Sequence, residues 1–215
     1  MSHETTLLVD SAKPDEVREA AALGFVTSVT TNPTLVAAAG RPAAELVREL
    51  AAIVSGTVFY QLTADTVEGR IAEAEAVLRV RGFARVGLKI AATPDNLPLV
   101  ARYRSVPVAV TAIFGASQAL VAAAAGARYV IPYVNRTTRL VGDGLAWVRQ
   151  LRAVCDATGG KTEVLAASVK SPEEAVATLL AGAHHLTLPL AVLRALGGHP
   201  LSDATVAEFA RAGKG

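Results

Sequence analysis

The feature that most constrains this chain is a regular alternation of short β-branched runs with longer alanine-rich segments. Eight runs are predicted to be strands, at 5–10, 25–31, 57–62, 85–91, 107–112, 128–134, 162–168 and 184–188. Helical periodicity lies between them, as in the segments 14–23, 43–54, 66–81, 115–125, 140–157 and 172–180. Because parallel strands need a crossover connection, usually a helix, this alternation favours a parallel sheet.

Eight strand–helix units predict an α/β fold, a single closed (β/α)8 barrel with parallel strands and a short C-terminal helix. A doubly wound open sheet is the alternative, although no G-x-G-x-x-G motif follows any of the runs. The 215 residues include no linker or low-complexity segment. We therefore expect one domain over residues 1–215.

The composition excludes several classes of protein. No apolar stretch approaches ~18 residues, the start lacks a basic region followed by an apolar one, and the formal charge is only +2 with scattered arginines. The single cysteine, Cys155, rules out an internal disulfide and is interpreted as a bystander. We expect a cytoplasmic protein without nucleic-acid or membrane partners.

Polar residues collect at the C-terminal ends of the predicted strands, where barrel enzymes place their catalytic groups. These residues are Asp10, Thr31, Asn32, Gln61, Lys89, Thr111, Tyr133, Asn135, Arg136 and Ser168. Side-chain alternation predicts four pairs on inward faces: Gly87 with Lys89, Ala109 with Thr111, Ile131 with Tyr133, and Ala166 with Ser168. We expect Gly87 to leave space below Lys89.

Lys89 is the unusual residue of the set, because it stands inside the apolar run VGLKIAAT (86–93). A buried, unpaired ammonium is unfavourable by several kcal/mol unless it loses its proton. A pKa lowered by ~3 units corresponds to ~4 kcal/mol, which burial can supply. The residues alone allow three interpretations: an ion pair with Asp10, a point charge that binds phosphate, or a neutral amine that forms a Schiff base.

Six motifs carry a family resemblance, namely VTTNPTL (29–35), LKIAAT (88–93), TAIFGASQA (111–119), PYVNR (132–136), VLAAS (164–168) and LTLPLAVL (186–193). In this order, from Asp10 to about Phe209, they resemble the transaldolase family, and most closely its short branch of fructose-6-phosphate aldolases and small microbial transaldolases. The resemblance implies a β/α barrel with a Schiff-base lysine on strand 4, where Lys89 falls. It implies small-molecule sugar phosphate and aldehyde substrates, a homo-oligomer, and neither metal nor cofactor.

Gln61 and Tyr133 match the aldolase branch of that family, since transaldolases proper carry Glu and Phe at these positions. A Gln orients a water but cannot exchange a proton, so proton transfer is left to the phenol of Tyr133. Asn135 stands where many small transaldolases have Gly. The resemblance thus implies a class I aldolase that cleaves the C3–C4 bond of a ketose phosphate such as fructose 6-phosphate. A transaldolase that transfers a dihydroxyacetone unit and a non-catalytic sugar-phosphate-binding barrel are the alternatives.

The resemblance and the chemistry together suggest a role for each site residue. Lys89 attacks C2 of the ketose, and the residues that hold a proton-shuttling water are Gln61, Thr111 and Tyr133. Asp10 and Asn32 hold the donor hydroxyls beside Thr31, and Arg136 with Ser168 binds the phosphate. The residues alone also allow Thr31 and Asn32 to shape a turn and cap a helix, and Arg136 to be a surface charge.

The chain departs from the family pattern at two places. Ile131, two residues before Tyr133, stands where relatives usually carry Ala or Ser, so we expect it to narrow the pocket near the donor. This residue leaves the identity of the donor open. The C-terminal segment DATVAEFARAGKG (203–215) is shorter than the family tail that packs on a neighbouring subunit.

Overall fold

The fold is an eight-stranded parallel barrel surrounded by helices, in a computed structural model that describes residues 5–80 and 85–213. The strands are β1 (Leu7–Asp10), β2 (Val26–Thr30), β3 (Thr57–Gln61), β4 (Arg85–Ala91), β5 (Val108–Thr111), β6 (Tyr129–Val130), β7 (Glu163–Ala166) and β8 (His185–Leu188). Each strand pairs with the next, and β8 pairs with β1. The predicted barrel is therefore confirmed, and the open sheet is wrong.

Helices follow the strands around the outside of the barrel. They are α1 (Pro14–Ala22), α2 (Pro33–Ala39), α3 (Ala43–Ile53), α4 (Val67–Leu78), α5 (Leu97–Arg102), α6 (Ala116–Ala124), α7 (Val134–Val141), α8 (Gly144–Ala157), α9 (Pro172–Leu180), α10 (Leu190–Ala195) and α11 (Pro200–Ala212), with a 3₁₀ turn at Pro94–Asn96. Side chains of Asn32, Thr66, Asp143 and Ser171 accept hydrogen bonds from the first-turn amides of α2, α4, α8 and α9. Such caps fix where each helix begins.

The sequence prediction differs from the structure mainly around β6 and α7. The predicted strand 128–134 is reduced to two residues, because Pro132 has no N–H to continue the ladder. Tyr133 still forms an isolated parallel bridge with Ala167. The predicted helix 140–157 is two helices separated at Gly142, whose φ of 113° no helical residue adopts. The predicted end of helix 66–81 falls at Arg81, outside the described residues.

Two separate hydrophobic clusters show which side chains face inward. The larger cluster joins strand residues such as Val9, Val29 and Leu88 to the helices and therefore lies between the sheet and the outer layer. The smaller cluster has strand-region members only: Leu8, Phe59, Ala109, Ile131, Leu165 and Ala167, with Tyr129 and Tyr133 packed against it. It fills the barrel interior. Its members alternate with those of the outer cluster, as the pleat of a strand requires.

Two of the predicted inward features are wrong. A Cβ on Gly87 would lie 2.6 Å from Cε1 of Phe59 and 2.9 Å from the Pro107 carbonyl oxygen, so the ring of Phe59 fills the space expected there. Ala166 belongs to the outer cluster, whereas Ala167 belongs to the inner one. Ser168 follows at a φ of 58°, and this turn breaks the alternation on which the predicted pairing depended.

Aromatic and charged residues close the N-terminal end of the barrel. The ring of Tyr129 packs edge-on against Phe59 and His185, at centroid distances of 5.7 and 5.5 Å. His185 Nε2 lies 3.0 Å from Oε2 of the buried Glu163, which also pairs with Arg128 at 2.8 Å. This floor separates the N-terminal surface of the barrel from the polar residues at the opposite end.

Candidate active site

Lys89 lies in the barrel interior between two neighbouring strands. On β4 its Cα is in register with Gln61 of β3 and Ala109 of β5, and the residue is only 2% exposed. Its Nζ donates a hydrogen bond of 2.7 Å to the carbonyl oxygen of Thr31. This contact holds the amine at the C-terminal end of the barrel, where the predicted site residues meet.

The charge of Lys89 is destabilised by its surroundings. Burial lowers the pKa of the amine from 10.5 to about 8, while the carboxylate of Asp10 acts in the opposite direction. At neutral pH roughly a tenth of such amines are uncharged, against about one in three thousand at the ordinary pKa. Within residues 5–80 and 85–213 Lys89 forms no ion pair with Asp10. The ion-pair interpretation of this lysine is therefore wrong.

Asp10 is held by a threonine that sequence reasoning missed. Thr30 Oγ1 donates to Asp10 Oδ1 at 2.9 Å and lies 2.6 Å from Thr187 Oγ1, so the ends of β1, β2 and β8 are linked. The predicted strand 2 ended one residue late, at Thr31, which hid the inward position of Thr30. Alternate residues of a strand share a face, so Thr187 could have been placed on the inward face of β8 together with His185.

Thr111 and Tyr133 form a second short hydroxyl pair at the C-terminal end of the barrel. Their hydroxyl oxygens are 2.6 Å apart, and Thr111 is fully buried. Burial raises the pKa of the Tyr133 phenol, and the Thr111 hydrogen bond and the Arg136 guanidinium oppose this rise. The phenol therefore stays protonated at neutral pH and can donate a proton. Ala112, directly after Thr111, has the left-handed φ of 57°, a strained conformation of the kind often found at active sites.

Gln61 ends β3 beside Lys89, and one polar atom of its side chain lacks a hydrogen-bond partner among the described residues. Its Oε1 atom is buried and accepts no hydrogen bond from any protein group in the part of the chain that the structure describes. An unsatisfied buried acceptor is unfavourable by ~1–3 kcal/mol, so such an atom calls for a water or a ligand hydroxyl. Gln61 therefore points to a place where a small polar molecule can bind.

Thr31 and Asn32 both make structural contacts. The hydroxyl of Thr31 donates to the Phe59 carbonyl at 3.0 Å, and the side chain is fully buried, so its carbonyl rather than its hydroxyl meets Lys89. Asn32 Oδ1 accepts from the Leu35 amide at 3.0 Å and caps α2. A donor-binding role of Asn32 stays a prediction, and it would use the Nδ2 atom that the cap leaves over.

Arg136, Asn135 and Ser168 lie together beside Tyr133. The guanidinium carbon of Arg136 lies 4.8 Å from the centroid of the Tyr133 ring. The Asn135 amide donates to the Ser168 carbonyl at 2.9 Å, and its side chain reaches Glu174 at 3.4 Å. These bonds fix the first turn of α7 against the end of β7. The predicted phosphate-binding role of Arg136 and Ser168 stays a prediction.

Ile131 is fully buried and belongs to the inner cluster with Phe59, Ala109 and Leu165. It lies two residues before Tyr133, below the Thr111–Tyr133 pair, so that cluster limits the depth of the site. The predicted narrowing of a donor pocket remains a prediction.

Among residues 5–80 and 85–213, no three His, Cys, Asp or Glu side chains are grouped so that they could hold a metal ion. No helix in those ranges is both long and apolar enough to cross a membrane.

Comparison with known proteins agrees with the geometry. Residues 7–214 match the family model for transaldolase/fructose-6-phosphate aldolase. Proteins named probable transaldolase are 40% identical in Pelotomaculum thermopropionicum and 39% in Desulforudis audaxviator, over 94% of this chain and 94% of each relative. A third, from Lactiplantibacillus plantarum, is 38% identical over 94% of this chain and 93% of its own length. The chain therefore belongs to the transaldolase/fructose-6-phosphate aldolase family of Schiff-base enzymes that act on small sugar phosphates.

Proposed function

We propose that the chain is a class I aldolase that cleaves and forms the C3–C4 bond of a ketose phosphate such as fructose 6-phosphate. The observation that carries the proposal is the buried amine of Lys89, whose pKa is lowered to about 8 and which lies in register with Gln61. A neutral amine in a water-poor site is the nucleophile that Schiff-base chemistry requires.

The reaction begins when Nζ of Lys89 attacks the C2 carbonyl of the ketose. The resulting carbinolamine loses water and becomes an iminium ion. When the C4 hydroxyl loses its proton and the C3–C4 bond breaks, the bonding electrons move into the iminium and an enamine forms. The aldehyde phosphate leaves, the enamine is protonated at C3, and hydrolysis returns free dihydroxyacetone and the amine. The iminium itself is the electron sink for the cleavage.

Proton transfer is assigned to the phenol of Tyr133 acting through a water. The free acceptor of Gln61 and the Thr111–Tyr133 pair are suited to hold that water, because one accepts and the other donates. Asp10 and the free amide nitrogen of Asn32 would bind the hydroxyls of the donor. These contacts lie at the ends of five different strands, as in other barrel enzymes.

Phosphate binding is assigned to Arg136, with Ser168 beside it. Arg136 lies in the first turn of α7, and helix N-termini favour anions. Its guanidinium stacks near Tyr133, so a phosphate bound there would lie at the rim of the site while the carbonyl reaches Lys89. A planar guanidinium can grip two phosphate oxygens at once.

Transaldolase is the second candidate, because the similar proteins are named probable transaldolase. In that reaction the same enamine attacks the aldehyde carbon of an aldose phosphate instead of being protonated. Gln61 disfavours this assignment, since it lacks the carboxylate with which transaldolases proper exchange protons. Both reactions share every step up to the enamine.

One experiment separates the two candidates. The enzyme is incubated with fructose 6-phosphate, and dihydroxyacetone release is compared with transfer to an added aldose phosphate. An aldolase releases dihydroxyacetone at a rate that the added acceptor barely changes, whereas a transaldolase turns over appreciably only when the acceptor is present.

Borohydride reduction in the presence of the ketose should leave a mass adduct on Lys89. Lys89→Met should lose the adduct and about a thousandfold of turnover, and the surface variant Lys13→Met should keep both.

The electrostatic role of Asp10 predicts a change in pH dependence. Because its carboxylate raises the pKa of Lys89, Asp10→Asn should lower the pH midpoint of borohydride trapping with dihydroxyacetone, from near 8 by up to about one unit. The midpoint is the readout, since the maximal rate also changes if Asp10 assists proton transfer. The exposed Asp95→Asn serves as the control. A midpoint that stays in place or rises in Asp10→Asn would contradict this role.

Ile131 predicts the donor preference. Replacing it by alanine should raise kcat/KM for dihydroxyacetone relative to hydroxyacetone about tenfold, because the larger pocket admits the second hydroxymethyl group. The ratio of two donors cancels any loss of folded enzyme, because a buried Ile→Ala change lowers the free energy of unfolding by about 2–5 kcal/mol. Leu165→Ala opens the same inner cluster on another strand and should leave the ratio unchanged. An unchanged ratio in Ile131→Ala would count against this role.

We also propose that the enzyme is a homo-oligomer joined through α11. Every residue of α11 is exposed, including Leu201, Val206 and Phe209, and a lone helix of this length is marginal in water. Light scattering should give a mass of several subunits for the wild type and a lower mass for Leu201→Ser/Phe209→Ser. Arg211→Ser, on a different face of the helix from these apolar side chains, should leave the mass unchanged. A wild-type monomer at micromolar concentration would contradict the proposal.

A further inference from the structure

A cavity lies at the N-terminal end of the barrel, opposite the end that holds Lys89. It measures about 550 Å³, within the range of small-molecule sites, and its walls come from the starts of β3, β4 and β6 and the segments before β5 and β7. We propose that this cavity binds a small molecule that carries two phosphate groups. The proposal does not depend on the reaction assigned to Lys89.

The charge of the lining is the first argument. Four cations line the cavity, namely Arg85, Arg104, Arg128 and Lys161, and the described lining contains no Asp or Glu. Arg128 is neutralised by Glu163 at 2.8 Å. The other three cations form no ion pair with any residue of 5–80 or 85–213. Three like charges around one concave site repel each other, and a bound anion relieves that repulsion.

The wall of the cavity is built from groups that are held in place. Arg128 Nη1 donates to the Lys161 carbonyl at 3.3 Å, and its guanidinium lies 5.3 Å from the centroid of the Tyr129 ring. The Cβ of Arg104 lies 3.5 Å from the position that a Cβ on Gly126 would take, so the base of this side chain lies beside the turn after α6. Arginine presents a planar fork to phosphate oxygens, and two free arginines suit two phosphate groups.

The cavity is separate from the site at Lys89. Arg85 and Lys89 lie four residues apart along β4, which corresponds to about 13 Å. The edge-packed rings of Phe59, Tyr129 and His185 lie between them. A ligand in the cavity therefore touches neither the amine nor Arg136, and the two anion sites can be tested independently.

Calorimetry with inorganic pyrophosphate tests the proposal on the full chain at low salt. The background is Arg136→Ala, which removes the guanidinium proposed to bind phosphate at the other end of the barrel. One pyrophosphate should bind in this background, and the affinity should fall as NaCl is raised. Adding Arg85→Glu/Arg104→Glu should lower the affinity about tenfold or more. The control pair Arg48→Glu/Arg149→Glu reverses the same number of charges on outer helices and should change it less than about twofold.

The folded state of each variant is checked by circular dichroism and by aldol activity in the Arg136 wild-type background. If the double charge reversal does not fold, Lys161→Gln provides the milder test and should weaken binding about two- to threefold. The proposal is overturned if no pyrophosphate binds in the Arg136→Ala background. It is also overturned if the cavity variants bind pyrophosphate as tightly as the control pair.

Discussion

The site depends on one unfavourable interaction, the burial of a lysine amine inside a barrel that is otherwise filled by side chains. Lys89 is surrounded by strands, its hydrogen-bonding partner is a backbone carbonyl, and the nearest carboxylate, that of Asp10, is engaged with Thr30 instead of pairing with it. A close ion pair would have raised the pKa of the amine and removed its nucleophilicity. The geometry therefore keeps Asp10 near enough to influence Lys89 but not near enough to neutralise it.

The rest of the barrel supports this arrangement from below and above. Phe59 fills the space beside Gly87, and Ile131 and Leu165 continue the apolar packing, so water has little room under the lysine. Above it, Thr111 and Ser168 mark strand ends where the chain turns through left-handed backbone at Ala112 and at Ser168 itself. Such strain persists only when neighbouring contacts over-determine the backbone, as the bond from Asn135 to the Ser168 carbonyl does.

The fold and the central lysine could be predicted from the sequence because they depend on periodicity and on one charged residue in an apolar run. The other features depend on contacts between distant residues. Phe59 packs on Gly87 of the neighbouring strand, and Thr30 meets Thr187 where β8 closes the barrel. The early end of β6 has a local cause, because Pro132 interrupts the strand although the hydrophobic pattern continues past it. The cations of the N-terminal cavity are likewise scattered through the sequence from Arg85 to Lys161, and only the closed sheet brings them together.

The account depends on Lys89 having a much lower pKa than an ordinary lysine. Selective ¹⁵N labelling of lysine, with Lys89→Met used to assign the resonance, allows the Nζ signal to be titrated in the free enzyme by NMR. The account predicts a midpoint near pH 8, well below the ordinary lysine value of 10.5. A midpoint at or above 10 would show that the amine is charged throughout the working range of the enzyme and would contradict the account.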